Sequence, residues 1–356
     1  MIIKGDKQLI KRINKLLEIN EENIAISNLL FSVYTEVYPK DIKKIQGYID
    51  KGLAEKDALL AFLYDFLEIN DDNEAIEFIK SRLLKNLDKL NENEFLNNEY
   101  AQMINNVGKY HDCSLECLTY EPYQLFPKDD LFINGYYEEQ PIGYFSKQFK
   151  YLALLKKKEI WMSLNPNEII TMAPYINKAK GDVLVLGLGM GYVAFMMALK
   201  NDVKSVTIIE KDQQVIDIFN NLIWPYFKNK EKIKIIKEDG VNYLKNNKDK
   251  YNYIFADLWH SPEDGLPLFI KIKKIDKHID CWLETSMYAL LRRCMLTLLF
   301  ESGHGYKESN YLKVKIYTDE IINKYYFATK KLTIISEQDL DNLLDFNNLL
   351  SLIINN

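Results

Sequence analysis

The residues best suited to chemistry stand at the ends of short apolar segments in the second half of the chain. The glycine-rich sequence Gly-Leu-Gly-Met-Gly, residues 187–191, follows one such segment, and the carboxylates Glu210, Asp239 and Asp257 follow the next three. Glycine lets a ligand approach the backbone closely and adopts positive φ readily, whereas carboxylates accept hydrogen bonds from hydroxyl and amino groups. The pattern therefore predicts a binding site for a small molecule that carries such groups.

The spacing of these residues predicts a sheet of parallel strands that alternate with helices. Short, continuous apolar segments are typical of buried parallel strands, and four of them span 183–186, 206–209, 233–236 and 251–256. Helices are predicted at 192–200 and 212–222. Such an α/β sheet is doubly wound, with right-handed crossovers, and it binds ligands at the carboxyl ends of its strands. The glycines and the carboxylates would then share one edge of the sheet.

The number of residues between the glycines and the first carboxylate indicates a binding site for a nucleoside. Glu210 follows Gly187 by 23 residues, and an acid at the end of the second strand is placed to accept both hydroxyl protons of a ribose. The helix that begins after the glycines offers N–H groups to an anionic ligand. The dinucleotide fingerprint requires a small residue where this chain has Tyr192, which argues against NAD. An NAD-dependent dehydrogenase stays as an alternative.

In this combination, the residues of the pattern resemble the class I S-adenosylmethionine-dependent methyltransferase superfamily over about residues 160 to 300. The resemblance implies a Rossmann-like fold and S-adenosylmethionine as the cofactor. It places the methionine and ribose portions on the glycines, the ribose hydroxyls on Glu210 and the adenine amino group on the Asp239-Gly240 pair. The cofactor-binding residues that it implies are Gly187, Gly189, Gly191, Glu210, Asp239, Gly240 and Asp257.

Within that superfamily, the sequence resembles the spermidine synthase-like branch. The segment VLVLGLGMG (183–191) is similar to the first strand and loop of that branch, and YNYIFAD (251–257) is similar to its fourth strand with the catalytic aspartate. The combination of MSLNPNEIITM (162–172), GLGMGY (187–192) and FADLWH (255–260) also resembles an uncharacterised bacterial methyltransferase-like group.

Two positions depart from the aminopropyltransferases of that branch. Those enzymes carry a second aspartate three residues after the first, and this chain has His260 at that position. They also carry a glutamine on the upstream strand, and the matching residue of this chain is Met162. A polyamine is a multiply charged cation that requires several carboxylates around it. The helical first third of the chain also differs from the small β-domain of those enzymes. We therefore predict an enzyme, an S-adenosylmethionine-dependent methyltransferase that acts on a small polar substrate.

Asp257 and His260 are the candidate catalytic residues. Methyl transfer requires an aligned donor and acceptor and the exclusion of water, and an amine or hydroxyl acceptor must also lose a proton. Asp257 is placed to orient an amine or accept its proton. His260 titrates near neutrality and suits a general base, although a solvent-facing loop position explains it equally well. Two other functions stay open: an aminopropyltransferase that uses decarboxylated S-adenosylmethionine, and a non-catalytic nucleoside-binding or scaffold protein.

The first third of the chain predicts helices rather than further strands. Apolar residues recur there at helical spacing, and proline and glycine become frequent only after residue 107. We predict a separate all-α N-terminal domain at 1–118, connecting strands or a hairpin at 119–165, and a Rossmann-like domain at 166–356. The last of these is expected to end in two antiparallel strands, 312–317 and 325–335, and a closing helix, 337–353.

Composition and charge argue against several classes of protein. The net charge of −5 argues against a nucleic-acid partner, and no run of about eighteen apolar residues predicts a membrane-spanning helix. Four cysteines are too few for a disulfide scaffold, which indicates the cytoplasm. His111, Cys113 and Cys117 lack the fourth ligand and the paired spacing of a zinc site, so no metal is predicted. The expected partner is a small-molecule substrate, and a homodimer is left open.

Overall fold

The computed structural model describes residues 1–36, 39–68, 73–102, 107–303 and 317–355. The α-helices there are α1 Lys7–Glu36, α2 Pro39–Asp50, α3 Glu55–Phe66, α4 Asn73–Arg82, α5 Glu92–Leu96, α6 Pro166–Lys178, α7 Tyr192–Leu199, α8 Gln213–Ile218, α9 Gly240–Asn246, α10 Pro262–Ile275, α11 Glu284–Gly303, α12 Tyr317–Thr329, α13 Glu337–Leu344 and α14 Phe346–Ile354. The strands are β1 Ile2–Ile3, β2 Leu87–Lys89, β3 Gly108–Tyr110, β4 Cys113–Tyr120, β5 Phe126–Pro127, β6 Phe132–Asn134, β7 Tyr137–Glu139, β8 Ile142–Tyr144, β9 Phe149–Lys156, β10 Glu159–Leu164, β11 Gly181–Leu186, β12 Val203–Glu210, β13 Ile233–Lys237, β14 Tyr253–Ala256, β15 Asp280–Cys281 and β16 Thr333–Ile334.

The chain divides into two compact units. We call residues 26–131 and 139–257 the sheet unit, and residues 1–25, 132–138 and 258–356 the terminal unit. The sheet unit contains every residue of the predicted site except His260. The predicted domains, 1–118, 119–165 and 166–356, stay a prediction.

Four parallel strands form the centre of the sheet unit. Their order is β13-β12-β11-β14, and Leu186 of β11 pairs with Ile209 on one side and with Ala256 on the other. Continuous apolar stretches form these strands because helices cover both faces of a doubly wound sheet, and Leu184 and Leu186 are accordingly buried. The four predicted strands are confirmed, and so is the doubly wound α/β fold class. Their carboxyl ends meet at one edge.

The first hundred residues are mainly helical, as predicted. In the sheet unit, apolar side chains of α1 to α4 form one core cluster that includes Leu59, Phe62 and Leu63. An antiparallel sheet of order β10-β9-β4-β3 follows in the chain. Its β9–β10 hairpin turns at Lys157 and Lys158, which both adopt positive φ. From that hairpin the chain runs through β10 into α6 and then into β11.

The terminal unit corrects one prediction about the end of the chain. The predicted strand 325–335 is wrong, because α12 continues to Thr329 and the strand β16 covers two residues only. Ile322 and Tyr325, three residues apart, are both buried, which is the spacing of a helix face rather than of a strand. Of the other predicted strand, 312–317, all but the last residue lies outside the described residues. The closing helix is divided in two because Asp345 caps a second helix, α14.

The helices of the described ranges do not include one that is both long enough and apolar enough to cross a membrane. All four cysteines are thiols, and Cys113 Sγ lies 3.6 Å from Asp112 Oδ1. Within the same ranges, no group of three or more histidine, cysteine, aspartate or glutamate side chains is arranged to hold a metal ion.

Replacing Gly191 with alanine is expected to destabilise the sheet unit. Gly191 has a φ of +79°, and a Cβ there would lie 2.4 Å from a ring atom of Phe219 and 2.9 Å from one of Phe227. Strain and overlap add, so we expect Gly191→Ala to lower the free energy of unfolding by about 2 kcal/mol or more. Urea denaturation followed by circular dichroism measures the change.

Gly47→Ala is the matched control. Gly47 lies inside α2, and an alanine Cβ at this position would have no neighbouring atom within 4 Å. Alanine should therefore raise stability by up to about 1 kcal/mol through its helix propensity. Equal effects of the two substitutions would contradict the role given to Gly191.

Candidate functional site

The glycine turn, residues 187–191, connects β11 to α7. Gly187, Gly189 and Gly191 have φ values of +99°, +52° and +79°, all in the left-handed region that favours glycine. The N–H of Gly191 donates to the carbonyl oxygen of Leu188 at 2.8 Å, which closes the turn just before α7 begins. The turn therefore presents backbone rather than bulky side chains at the carboxyl edge of the sheet.

Glu210, the last residue of β12, holds the glycine turn from the neighbouring strand. Its Oε2 accepts a hydrogen bond from the N–H of Leu188 at 3.1 Å, and its Oε1 accepts one from the N–H of Asp212 at 2.8 Å. The residue is 8% exposed. Each carboxylate oxygen has a second lone pair, and the predicted contact with a ribose stays a prediction.

Asp257 follows β14 and lies close enough to Glu210 for the charge of that carboxylate to affect its pKa. Its N–H donates to the carbonyl oxygen of Leu186 at 2.9 Å, which fixes its backbone beside the end of β11. Burial, and then the charge of Glu210, raise the pKa of Asp257 to about 7. At neutral pH this carboxyl therefore holds a proton more readily than an ordinary aspartate does. A cation bound beside it would favour the ionised form.

A third carboxylate, Glu168, is absent from the predicted site and lies at the start of α6. Asn165 caps this helix by accepting a hydrogen bond from the N–H of Glu168 at 3.1 Å, and Pro166 occupies the first turn. Burial, and then the charge of Asp257, raise the pKa of Glu168 well above its usual value. An acid at this helical position ordinarily indicates stabilisation of the helix N-terminus, so the sequence carried no separate signal of a site.

We call Glu168, Glu210 and Asp257 the carboxylate cluster. They come from three different elements: the start of α6, the end of β12 and the residue after β14. Tyr192 also lies within the field of Glu168. Burial and that charge outweigh the opposite effect of a hydrogen bond from Asn98, and the pKa of Tyr192 rises to about 12. Like charges held together out of water favour a positively charged ligand, because a cation relieves the repulsion between them.

Asp239 follows β13 and precedes α9, and Gly240 is the first residue of α9. Asp239 Oδ1 accepts a hydrogen bond from the N–H of Asn242 at 2.9 Å, so the side chain caps α9. Gly240 is buried at the first position of that helix. Their predicted contact with an adenine stays a prediction.

His260, in the terminal unit, lies on an exposed segment just before α10. Its side chain is 65% exposed, and its Nδ1 is 3.3 Å from Oδ2 of Asp264. Asp264 also accepts from the N–H of Ser261 in the capping box of α10. Trp259, in contrast, is buried. The catalytic role of His260 stays a prediction.

Comparison with known proteins identifies the type of domain that contains the site. Residues 165–292 match the model of the spermine/spermidine synthase domain. A curated polyamine aminopropyltransferase from Streptococcus uberis is 31% identical over 91 residues, which are 25% of this chain and 31% of that protein. The chain therefore matches less than a third of the length of this relative. The matched region 165–292 contains the glycine turn and the whole carboxylate cluster, and it is spermidine synthase-like.

Several solved structures are similar to parts of the chain. The spermidine synthase from Thermotoga maritima is 11% identical with a TM-score of 0.31, and the match covers 52% of this chain and 61% of that chain. A putative O-methyltransferase from Klebsiella pneumoniae is 16% identical with a TM-score of 0.23, covering 29% of this chain and 47% of that chain.

The family model and the curated relative correct the predicted reaction. The family model is that of spermine/spermidine synthases and the curated relative is a polyamine aminopropyltransferase, and neither is a methyltransferase. The prediction of a methyltransferase is therefore wrong, and so is the prediction of S-adenosylmethionine as its cofactor. The error has a physical source. A carboxylate is missing at the position three residues after Asp257, but Glu168 of α6 lies close enough for the charge of Asp257 to raise its pKa.

Asp257→Asn is expected to stabilise the ligand-free protein at alkaline pH. The pKa of Asp257 is raised to about 7 from its ordinary value of 3.8, so the folded state binds a proton more tightly than the unfolded chain. Wild-type stability should then fall as pH rises from about 4 to 7, and the variant should not show this loss. At pH 8 we expect the variant to be more stable by on the order of 1–2 kcal/mol, measured by urea denaturation at pH 5 and pH 8.

Asp264→Asn is the control, and the expected change in its stability has the opposite sign. The hydrogen bonds of Asp264 at the start of α10 lower its pKa despite partial burial, so its ionised form stabilises the fold above the unfolded pKa. The substitution should lower stability at both pH values. A loss of stability in Asp257→Asn at pH 8 would contradict the repulsion described for the carboxylate cluster.

Proposed function

We propose that this protein is an aminopropyltransferase that moves an aminopropyl group from decarboxylated S-adenosylmethionine to a polyamine. The observation that carries the proposal is the carboxylate cluster beside the glycine turn, where the pKa values of Asp257 and Glu168 are both raised. The spermine/spermidine synthase match over residues 165–292 supports it independently. The catalytic residue is Asp257, and Glu168 binds the amine with it.

The charge of the cluster favours the decarboxylated donor over the ordinary one. S-adenosylmethionine carries a carboxylate, which would add a further negative charge next to Asp257, Glu168 and Glu210. Decarboxylation removes that charge and leaves an ammonium group at the end of the aminopropyl chain. Both this ammonium and the cationic acceptor relieve the repulsion between the carboxylates. The same cluster therefore accounts for the selection of both substrates.

The transfer is a single displacement at carbon. The nitrogen of the acceptor attacks the methylene carbon bound to the sulfonium, a C–N bond forms, and the C–S bond breaks with its electron pair going to sulfur. The sulfonium becomes the neutral thioether of 5′-methylthioadenosine. The attacking nitrogen must have lost one proton beforehand, and a carboxylate with a pKa of about 7 is a better acceptor for it than an ordinary aspartate. The glycine turn and Glu210 hold the nucleoside during this step.

The location and the partners of the protein are part of the proposal. We place the protein in the cytoplasm, where its four thiols stay reduced. Its partners are the nucleoside donor and the amine acceptor, both small molecules. Asp239 and Gly240 are proposed to contact the adenine.

The proposal is tested by incubating the protein with decarboxylated S-adenosylmethionine and either putrescine or spermidine. We expect a longer polyamine and one equivalent of 5′-methylthioadenosine, both quantified by mass spectrometry. Asp257→Asn should lower kcat/KM by at least about a hundredfold, because it removes a proton acceptor in the reaction. A protein that binds the nucleoside but forms neither product would instead be a binding or scaffold protein, and methylated product from S-adenosylmethionine would overturn the proposal.

Glu168→Gln is expected to weaken recognition of the amine. Loss of one carboxylate from the cluster should raise KM for the amine by about tenfold, as expected for the loss of one charge-assisted hydrogen bond. KM for the nucleoside donor should rise by a smaller factor, because Asp257 and Glu210 remain. Glu159→Gln serves as the control, because Glu159 is an exposed acid on β10. An unchanged amine KM in Glu168→Gln would remove Glu168 from the site.

A further inference from the structure

Asn98 and Tyr100 reach the glycine turn from a distant part of the sequence. Both follow α5 and belong to the sheet unit. The hydroxyl of Tyr100 donates to the carbonyl oxygen of Met190, inside the glycine turn. Nδ2 of Asn98 donates to the hydroxyl of Tyr192 at 3.0 Å, immediately after the turn. Two side chains from one short segment therefore hydrogen-bond to the end of the turn and to the residue that follows it.

Packing holds Tyr100 in place. Its side chain is fully buried, and its ring makes edge-to-face contacts with Tyr192 at 5.5 Å and with Phe195 at 5.3 Å between ring centroids. The neighbouring residue Glu99 pairs with Lys228, with 2.5 Å between Oε2 and Nζ. Burial raises the pKa of the Tyr100 hydroxyl, so this group remains a hydrogen-bond donor. The bond to Met190 is thus fixed by a rigid aromatic ring rather than by a mobile side chain.

The glycine turn is consequently held at both of its ends. Glu210 binds the N–H of Leu188 at the start, and Tyr100 binds the carbonyl oxygen of Met190 at the end. The Met190 carbonyl and the Gly191 N–H belong to one peptide unit, and that N–H is in turn bonded to Leu188. Fixing this peptide plane fixes the orientation of the peptide units between Leu188 and Met190, which face the proposed nucleoside.

We infer that Tyr100, supported by Asn98, is a positioning residue that sets the glycine turn in the conformation that receives the nucleoside donor. The inference rests on the proposed function. Tyr100 acts through the backbone of the turn, so it should change affinity for the nucleoside and leave recognition of the amine by the carboxylate cluster unchanged. A purely structural role would instead lower thermal stability with no change in the affinity of the folded protein.

Tyr100→Phe tests the inference because it removes one hydroxyl and keeps the ring. The probe is 5′-methylthioadenosine, measured by isothermal titration calorimetry at a temperature where every variant is folded. We expect the Kd of Tyr100→Phe to exceed that of the wild type by about tenfold, as expected for a buried carbonyl that loses its donor. In the transfer assay, KM for the nucleoside donor should rise while KM for the amine stays within about twofold, since recognition of the amine is assigned to Asp257 and Glu168.

Tyr144→Phe is the matched control. Tyr144 is also a buried tyrosine of the sheet unit, but its hydroxyl lies 3.4 Å from Glu55 Oε2 and its ring belongs to the core cluster of the first helices. Its Kd for the nucleoside should equal that of the wild type. Asn98→Ala, at a partly exposed position, provides a second test if Tyr100→Phe does not fold.

The outcomes separate the inference from the proposed function. Equal Kd values for the wild type and Tyr100→Phe would overturn the inference and leave the proposed function intact. If Tyr100→Phe does not fold, equal Kd values for the wild type and Asn98→Ala would have the same meaning. A wild-type protein that binds no 5′-methylthioadenosine and transfers no aminopropyl group would overturn both.

Discussion

Repulsion between like charges is the constraint on which the candidate site depends. Parallel strands bring Glu210 and Asp257 to the same edge of the sheet, and the first turn of α6 adds Glu168. Three ionised carboxylates in a partly buried site would destabilise the fold, so the pKa of Asp257 is raised to about 7 and that of Glu168 is raised as well. In the proposed function, a cationic substrate relieves the repulsion that the fold creates, and the cluster selects an amine for this reason.

The backbone around the cluster must therefore be held by interactions that do not depend on the ligand. Glu210 has two tasks: it contributes charge to the cluster, and it accepts the N–H of Leu188 in the glycine turn. Tyr100 supports the other end of that turn through the carbonyl of Met190. The glycines can then keep their positive φ values without a bound nucleoside. A turn that is already ordered lowers the entropic cost of binding.

The sequence predicted the parts of the site that depend on local patterns. Continuous apolar segments identified all four parallel strands, and their alternation with helices identified the doubly wound fold. Residues 325–335 were misread as a strand because a short, apolar stretch does not distinguish a helix end from a strand. Glu168 was missed because an acid in the first turn of a helix has an ordinary local explanation. Tyr100 gave no signal, since its partner Met190 is 90 residues away. Counting carboxylates at a fixed spacing from Asp257 overlooked a carboxylate supplied by another helix, and this led to the wrong reaction.

The raised pKa of Asp257 also connects substrate recognition to the chemical step. An amine binds as a cation but must attack as a neutral nucleophile, so its proton has to move to another group. An alkylammonium has a pKa near 10, and transfer of its proton to an ordinary aspartate would span more than about six pKa units. Burial, the larger cause of the raised pKa of Asp257, narrows this gap. Because burial persists when a cation binds, Asp257 in the proposed reaction remains a better acceptor of the proton than an exposed aspartate. Once the C–N bond has formed, the product nitrogen is itself an ammonium, so the proton held by Asp257 leaves to solvent, and the cluster returns to the state in which it binds the next cation.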